Sequence, residues 1–423
     1  MKGLFKFIRD YALFGIIFIG TKGLAFIIPI LLADILPTND FGMLEWSLGS
    51  VAMIISAFIS LGVPGAYPYF ILKRKELNLK SGFVIHPISL VLVFIVNQFI
   101  YFIFNIPFVY YLAVNIAFVL ANQLYYSSVL KSKELILKAV LFDTGIYLVL
   151  TVYFLAAKIN LVSVSLQTVN SLIVGYAIIY VIYAIYVIIK TKNGQIFQKY
   201  LEIIKFSYHL LISSTLIFLV IVSGRILVEH FFDDYTLVGV YGYYYRISAA
   251  VVMIYQIIYI VYFKKIYTID SLILDKYYSF FFIFIFIFSV VLFMVSPLIL
   301  PHISNFFSET YQEHKGVYFI LSVQMVMWIA ISLNSSIIDR ENLASINNKY
   351  FIVLLISIGL LFYLLRDILV FKLLVFLHFS TIYLAVILQY FNLRKRNILF
   401  INSSIIISLF YFITTVIFFV YLF

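Results

Sequence analysis

Phe280-Phe281-Phe282-Ile283-Phe284-Ile285-Phe286 stands inside an apolar run from about Ser279 to Leu300 that no charged residue interrupts. A strand built from it would be apolar on both faces. Membrane β-barrels instead alternate apolar and polar positions over segments of about ten residues. In hydrocarbon the backbone must satisfy its own hydrogen bonds, so a continuous run of this kind forms a helix. About 20 apolar residues are needed to cross the bilayer core, and this run has that length.

The same pattern recurs outward in both directions. Runs of this kind lie at roughly 11–36, 41–70, 83–104, 108–130, 139–157, 169–189, 206–228, 240–262, 279–300, 317–338, 350–366, 368–391 and 398–422. The eleventh and twelfth are parted only by Arg366-Asp367, so twelve or thirteen spans are expected. The first run is too long for the apolar core of a secretory signal and is read as a first span. Composition agrees with this reading. Of 423 residues, 65% are hydrophobic and 11% charged, where a soluble domain carries roughly 25% charged. A soluble fold has too little interior to hide that much apolar surface.

Twenty-two of the 29 basic residues fall at the N-terminus and in six alternate loops, among them Lys73-Arg74-Lys75, Lys131, Lys190 and Arg394-Lys395-Arg396. The opposite side holds Lys158, Lys315, Arg366 and Lys372. That asymmetry places the N-terminus in the cytoplasm, and it explains the net charge of +11 without nucleic acid. The chain has no cysteine, which removes disulfides, zinc ribbons and thiol chemistry. Its six histidines are scattered, with no metal-binding spacing, and no phosphate-binding glycine loop occurs. No cofactor and no metal are expected. The loops are short, so any chemistry belongs within the helices or at their ends.

The expected fold is all-α and integral to the membrane. Two six-helix lobes surround a central cavity, giving twelve core helices and a thirteenth at the C-terminus. Residues 1–189 form the first lobe, 190–205 a cytoplasmic linker, 206–391 the second lobe and 392–423 the added helix. Asp40-Phe41-Gly42 and Leu237-Val238-Gly239 mark corresponding turns of the two halves, as parallel repeats would.

Five charged residues fall inside the runs: Lys22, Glu45, Asp143, Arg225 and Arg246. A charge at the bilayer centre costs at least about 2.5–3.5 kcal/mol, so such groups face a bundle interior or a watery cavity. Lys22 lies at least about 16 Å of helix from either end of its run. Arg225 and Arg246 have the alternative of reaching the outer headgroups. Together the three cations make a cavity that attracts an anion, and a guanidinium suits phosphate. Glu45 reads either as a bridge to Lys22 across the first hairpin or as a functional carboxylate. Asp143 reads as an interfacial residue or a proton site. Asn115, Asn122 and Gln256 read either as glue between helices or as polar cavity lining. Gly62, Pro64, Gly65 and Pro68 predict a kink or break at the end of the second run.

The first hairpin carries Gly20-Thr21-Lys22-Gly23-Leu24-Ala25-Phe26, Pro29-Ile30-Leu31-Leu32, Asp40-Phe41-Gly42 and, before a basic loop, Gly62, Ala66 and Tyr69-Phe70. Phe206-Ser207, Arg225-Ile226-Leu227 and Val238-Gly239-Val240-Tyr241 form a second block. These stretches resemble Wzx-type polysaccharide flippases of the MOP (MATE-like) superfamily. The chain departs from the family pattern at His209, where proline is frequent, and at Gly224, where an acid is frequent. The resemblance implies transfer of undecaprenyl-pyrophosphate-linked oligosaccharides across a bacterial inner membrane. It implies that Lys22, Arg225 and Arg246 hold the pyrophosphate and that Glu45 or Asp143 couples ions. The implied partners are that lipid-linked glycan, membrane lipids and polysaccharide polymerase machinery. Two other readings stay open: a MATE-like exporter of small molecules, and a membrane-embedded polymerase or glycosyltransferase. The last would need a larger outer loop than the one holding Asp233-Asp234.

Overall fold

Lipid offers the backbone no hydrogen-bond partners, so each apolar run must close its own i→i−4 ladder. The computed structural model follows that rule. It describes Phe18 and residues 20–191, 195–341 and 343–423, with the backbone alone at 73, 260–265, 267 and 268. Among the described residues there is no strand. Among the described residues eleven helices are long and apolar enough to cross a membrane, and the number is twelve if the one bent pair counts as a single span. The protein is an all-α, multi-pass membrane protein.

Backbone contacts divide it into two compact units, Met1–Thr215 and Leu216–Phe423. The first holds α1 (Gly20–Ala33), α2 (Thr38–Ile59), α3 (Val63–Pro68), α4 (Leu77–Phe104) and α5 (Phe108–Ser132). The bent pair α6 (Ile136–Asp143) and α7 (Gly145–Lys158) follows, then α8 (Leu166–Lys190) and most of α9 (Ile196–Val222). Helix α5 is the hub, packed against α2, α3, α4, α6 and α8. Of the first expected run, residues 11–17 and 19 lie outside the described residues. The break expected after the second run is present. Leu61 and Gly62 turn into the left-handed region at φ 51° and 69°. A Cβ at Gly62 would stand 2.4 Å from the Ser207 carbonyl oxygen, so glycine alone allows this close approach to α9.

The second unit contains the end of α9, α10 (Gly224–Phe232), α11 (Tyr235–Thr268), α12 (Ser271–Ile299), α13 (Asn305–Arg340), α14 (Ala344–Leu365), α15 (Phe371–Arg394) and α16 (Ile401–Leu422). Here α13 is the hub. It contacts α11, α12, α14, α15 and α16 and is buried along most of its 36 residues. A short 3-10 turn, Arg366–Ile368, separates α14 from α15, so the eleventh and twelfth runs are two spans. Two stretches near the expected boundaries take a definite form. Residues 196–205 of the expected linker are helix, and Tyr200 and Ile203 lie in the core of the first unit. The C-terminal helix belongs to the second unit: buried Asp275 on α12 accepts the Asn402 and Ser403 amides, each at 2.9 Å, capping α16. At the opposite end of α11, Arg340 donates to the Ile266 and Ile269 carbonyls at 2.9 and 3.1 Å.

Candidate functional site

In the second unit the charge sits where α9 gives way to α10. Arg225 is 1% exposed. Its guanidinium carbon lies 4.5 Å from the ring centre of Tyr245 and 5.6 Å from that of Tyr241. Residues four apart on a helix stack above one another, so the two tyrosines of α11 form one platform with near-parallel rings 6.3 Å apart. A desolvated cation over such rings gains about 2 kcal/mol. The far edge of the platform is fixed by His378 of α15. Its Nε2 lies 3.2 Å from the Val220 carbonyl, which only accepts, so Nε2 carries the proton. Nδ1 is then the acceptor for the Tyr241 hydroxyl at 3.2 Å, and Ser223 Oγ adds a contact to Nε2 at 3.3 Å. A neutral imidazole of this tautomer suits a site beside a buried guanidinium.

Gly224 makes the packing possible. A Cβ there would lie 2.2 Å from the Tyr241 hydroxyl oxygen and 3.0 Å from His378 Nδ1. Arg246 follows Tyr245 and is 8% exposed. Its side chain leaves α11 about 100° round the helix from that of Tyr245. The Asp233-Asp234 pair makes the turn between helices. Asp233 leaves α10 at φ 49°, and Asp234 Oδ1 accepts the Thr236 amide at 2.7 Å.

In the first unit Lys22 of α1 forms an ion pair with Asp143, not with Glu45. Glu45 is fully buried on α2. Asp143 ends α6. Thr144 leaves helical geometry at φ −109°, ψ 7°, and the span bends by 56°. Asp143 is therefore the knuckle of the bent pair. It lies roughly 10 Å along α6 from Ile136, about a third of the way along the residues of the pair.

Asn115 is fully buried and committed to neighbouring helices. Its Oδ1 accepts from Asn97 at 2.9 Å and Gln98 at 2.8 Å, and its Nδ2 donates to Asn170 at 3.0 Å. The network joins α4, α5 and α8. Asn122, one face along, donates to the Phe118 carbonyl at 2.9 Å and is also fully buried. Gln256 is half-buried on α11, with a buried Oε1 that has no hydrogen-bond partner. A cavity of about 550 Å³ in the second unit, lined by Tyr255, Tyr259, Tyr278 and Phe281 among others, includes none of the expected site residues.

Sequence reasoning missed His378, Tyr241, Tyr245 and Ser223. Two signals were available: a histidine inside an apolar run, and the cluster Tyr241-Gly242-Tyr243-Tyr244-Tyr245 at the start of another. No protein-family model, curated protein or solved structure matches this chain.

Proposed function

We propose that the protein is a flippase that carries undecaprenyl-pyrophosphate-linked oligosaccharide repeat units across a bacterial inner membrane, with its N-terminus in the cytoplasm. The observation that carries this reading is Arg225, a guanidinium held almost fully buried on a two-tyrosine platform inside an apolar bundle. A cation kept inside an apolar bundle is costly to place there, which marks it as a functional residue. A pyrophosphate supplies charge and acceptor oxygens in the geometry a guanidinium prefers. Lys22 offers a second positive point in the first unit. The motifs of the first hairpin and of the Arg225 segment support the same family. In the mechanism, the headgroup passes along the cationic side chains by alternating access while the lipid tail stays in hydrocarbon. Arg246 assists Arg225, and Glu45 or Asp143 couples ion movement. The glycan delivered outside would then pass to a polymerase.

The test is deletion of the gene in its native bacterium, with surface polysaccharide and lipid-linked intermediates both analysed. The reading requires loss of surface polymer and accumulation of single lipid-linked repeats. It also requires that Arg225→Gln fail to complement at normal protein level. Unchanged surface polymer refutes it. One observation favours a second reading. Glu45 is a fully buried carboxylate in the first unit, which suits an exporter of cationic small molecules. That reading predicts heightened sensitivity to cationic drugs in the same deletion strain.

A further inference from the structure

Lys22 and Arg225 are held differently. Arg225 is sealed at 1% exposure. The side chains of Lys22 and Asp143 keep 17% and 28% of theirs. The first-unit pair is thus open to exchange with an incoming ion. We propose that Asp143 is the internal counter-anion of Lys22, occupying the place of a ligand phosphoryl group, and that an incoming pyrophosphate displaces it. Naming pyrophosphate rests on the flippase reading; the exchange itself rests on the geometry.

Three features of the first unit carry the inference. The partners come from α1 and from the junction of α6 and α7, 121 residues apart in sequence, so their contact ties one helix to the break in another. A carboxylate presents fewer acceptor oxygens and less charge than a pyrophosphate, so the latter is the stronger partner for an ammonium group. A displaced carboxylate also has somewhere to go. Lys131, in the last turn of α5, is exposed and near enough to act electrostatically on Asp143. The exchange moves Asp143 from Lys22 toward Lys131, so the displaced carboxylate keeps a cation near it.

The position of Asp143 gives the exchange a mechanical output. Thr144 has already left the helix, and Gly145 opens α7 against the Tyr176 hydroxyl, which would lie 2.2 Å from a Cβ there. A cavity of about 300 Å³ flanks the bend, lined by Leu141, Phe142, Gly145, Leu148 and Tyr176 among others. The span is broken and has free volume beside the break. Release of the Lys22 tether frees the angle between α6 and α7 to change.

The test uses the purified full-length protein and inorganic pyrophosphate as probe, by titration calorimetry. Asp143→Asn removes the competitor but keeps shape, and should tighten pyrophosphate binding by about tenfold or more. Lys22→Gln should abolish the gain when combined with it. Binding by Asp143→Asn no tighter than wild type overturns the proposal, as does tighter binding that survives Lys22→Gln. A second measurement guards against variants that merely unfold. The chain has no cysteine, so Leu137→Cys and Leu155→Cys place spin labels on exposed positions either side of the bend. Pyrophosphate added to this labelled protein, with Lys22 and Asp143 intact, should shift the label distance, and Asp143→Asn should produce the same shift unaided. Unaltered distances in both cases refute the mechanical output. The flippase reading fails separately. If the deletion strain keeps its surface polymer while Asp143→Asn still tightens pyrophosphate through Lys22, the exchange stands and the glycan does not.

Discussion

Replacing Gly224 by alanine adds one methyl group at the most crowded point of the second unit. The Cβ would meet the Tyr241 hydroxyl oxygen at 2.2 Å, its Cζ at 2.6 Å and His378 Nδ1 at 3.0 Å. Tyr241 cannot swing aside at no cost. It is 1% exposed, bonds His378 at 3.2 Å and lies under Arg225. Moving the ring forfeits a hydrogen bond of about 1 kcal/mol and weakens a desolvated cation–π contact of about 2 kcal/mol. Moving the helix start instead incurs an overpacking penalty of about 1–3 kcal/mol. We expect Gly224→Ala to destabilise the second unit by about 3 kcal/mol, which for a body of this size lowers Tm by roughly 6–12 °C.

The chain has two tryptophans, Trp46 in the first unit and Trp328 in the second. In a Trp46→Phe background, intrinsic fluorescence during heating in detergent therefore reports on Trp328, which packs edge-on against Tyr255. Gly359→Ala is the control. It lies in α14 with nothing within 4 Å of the new methyl, and should raise stability by about 0.5–1 kcal/mol through backbone entropy. Equal Tm values for Gly224→Ala and Gly359→Ala would refute the packing derived for the Arg225 platform.

Asn115→Leu removes the acceptor shared by Asn97 and Gln98 and the donor to Asn170, and leaves Asn97 only its bond to the Tyr111 carbonyl; it should lower the stability of the first unit by about 2–3 kcal/mol in denaturant titration followed at Trp46. Lost transport at unchanged stability would show instead that Asn115 contacts cargo. Asp275→Ala removes the carboxylate that accepts two amides of α16, at about 2 kcal/mol; hydrogen exchange should quicken at Asn402 and Ser403, and unchanged rates there would dismiss the cap. Arg225→Lys keeps a charge but lacks a plane to lie on Tyr245. It should restore less surface polymer than wild type in a deletion strain, by about tenfold in transport rate; full rescue would show that charge alone suffices.

The spans were legible because lipid leaves a chain one option, and length against bilayer thickness identifies it. The break near Gly62 was legible because proline and glycine act locally. Partner choice was not legible. Glu45 lies 23 residues from Lys22, on the adjoining helix of the hairpin, so proximity in sequence favoured it over Asp143, 121 residues away. Which of these sits beside an ammonium depends on the register of α1 against α6, and no local pattern in the sequence encodes that register. The helical form of residues 196–205 was not legible for a related reason. Basic residues at 199 and 205 signal a membrane surface, but they do not say whether the backbone beneath them is loop or helix, and here α9 begins at Ile196.

Burial of the helices follows a rule opposite to that of soluble proteins, and it explains the tyrosine platform. The helices most enclosed by protein, α5, α11 and α13, are among the less apolar spans; the most apolar, α12, is one of the least enclosed. Lipid tails are as apolar as leucine, so burial in the bundle gives an aliphatic side chain little that the bilayer does not already give. Polar and aromatic groups do gain, because only protein offers them partners. The inner helices accordingly carry Asn115, Asn122, Gln324, Asn334 and the run Tyr243-Tyr244-Tyr245, while α12 displays Phe280, Ile287 and Leu298 outward. An arginine placed in such a bundle gains from ring faces, as Arg225 does over Tyr241 and Tyr245. On this logic the low hydropathy of a span, not its high hydropathy, marks where function should be sought, and α11, with Tyr241, Tyr245 and Arg246 on one helix, is where the rule points first.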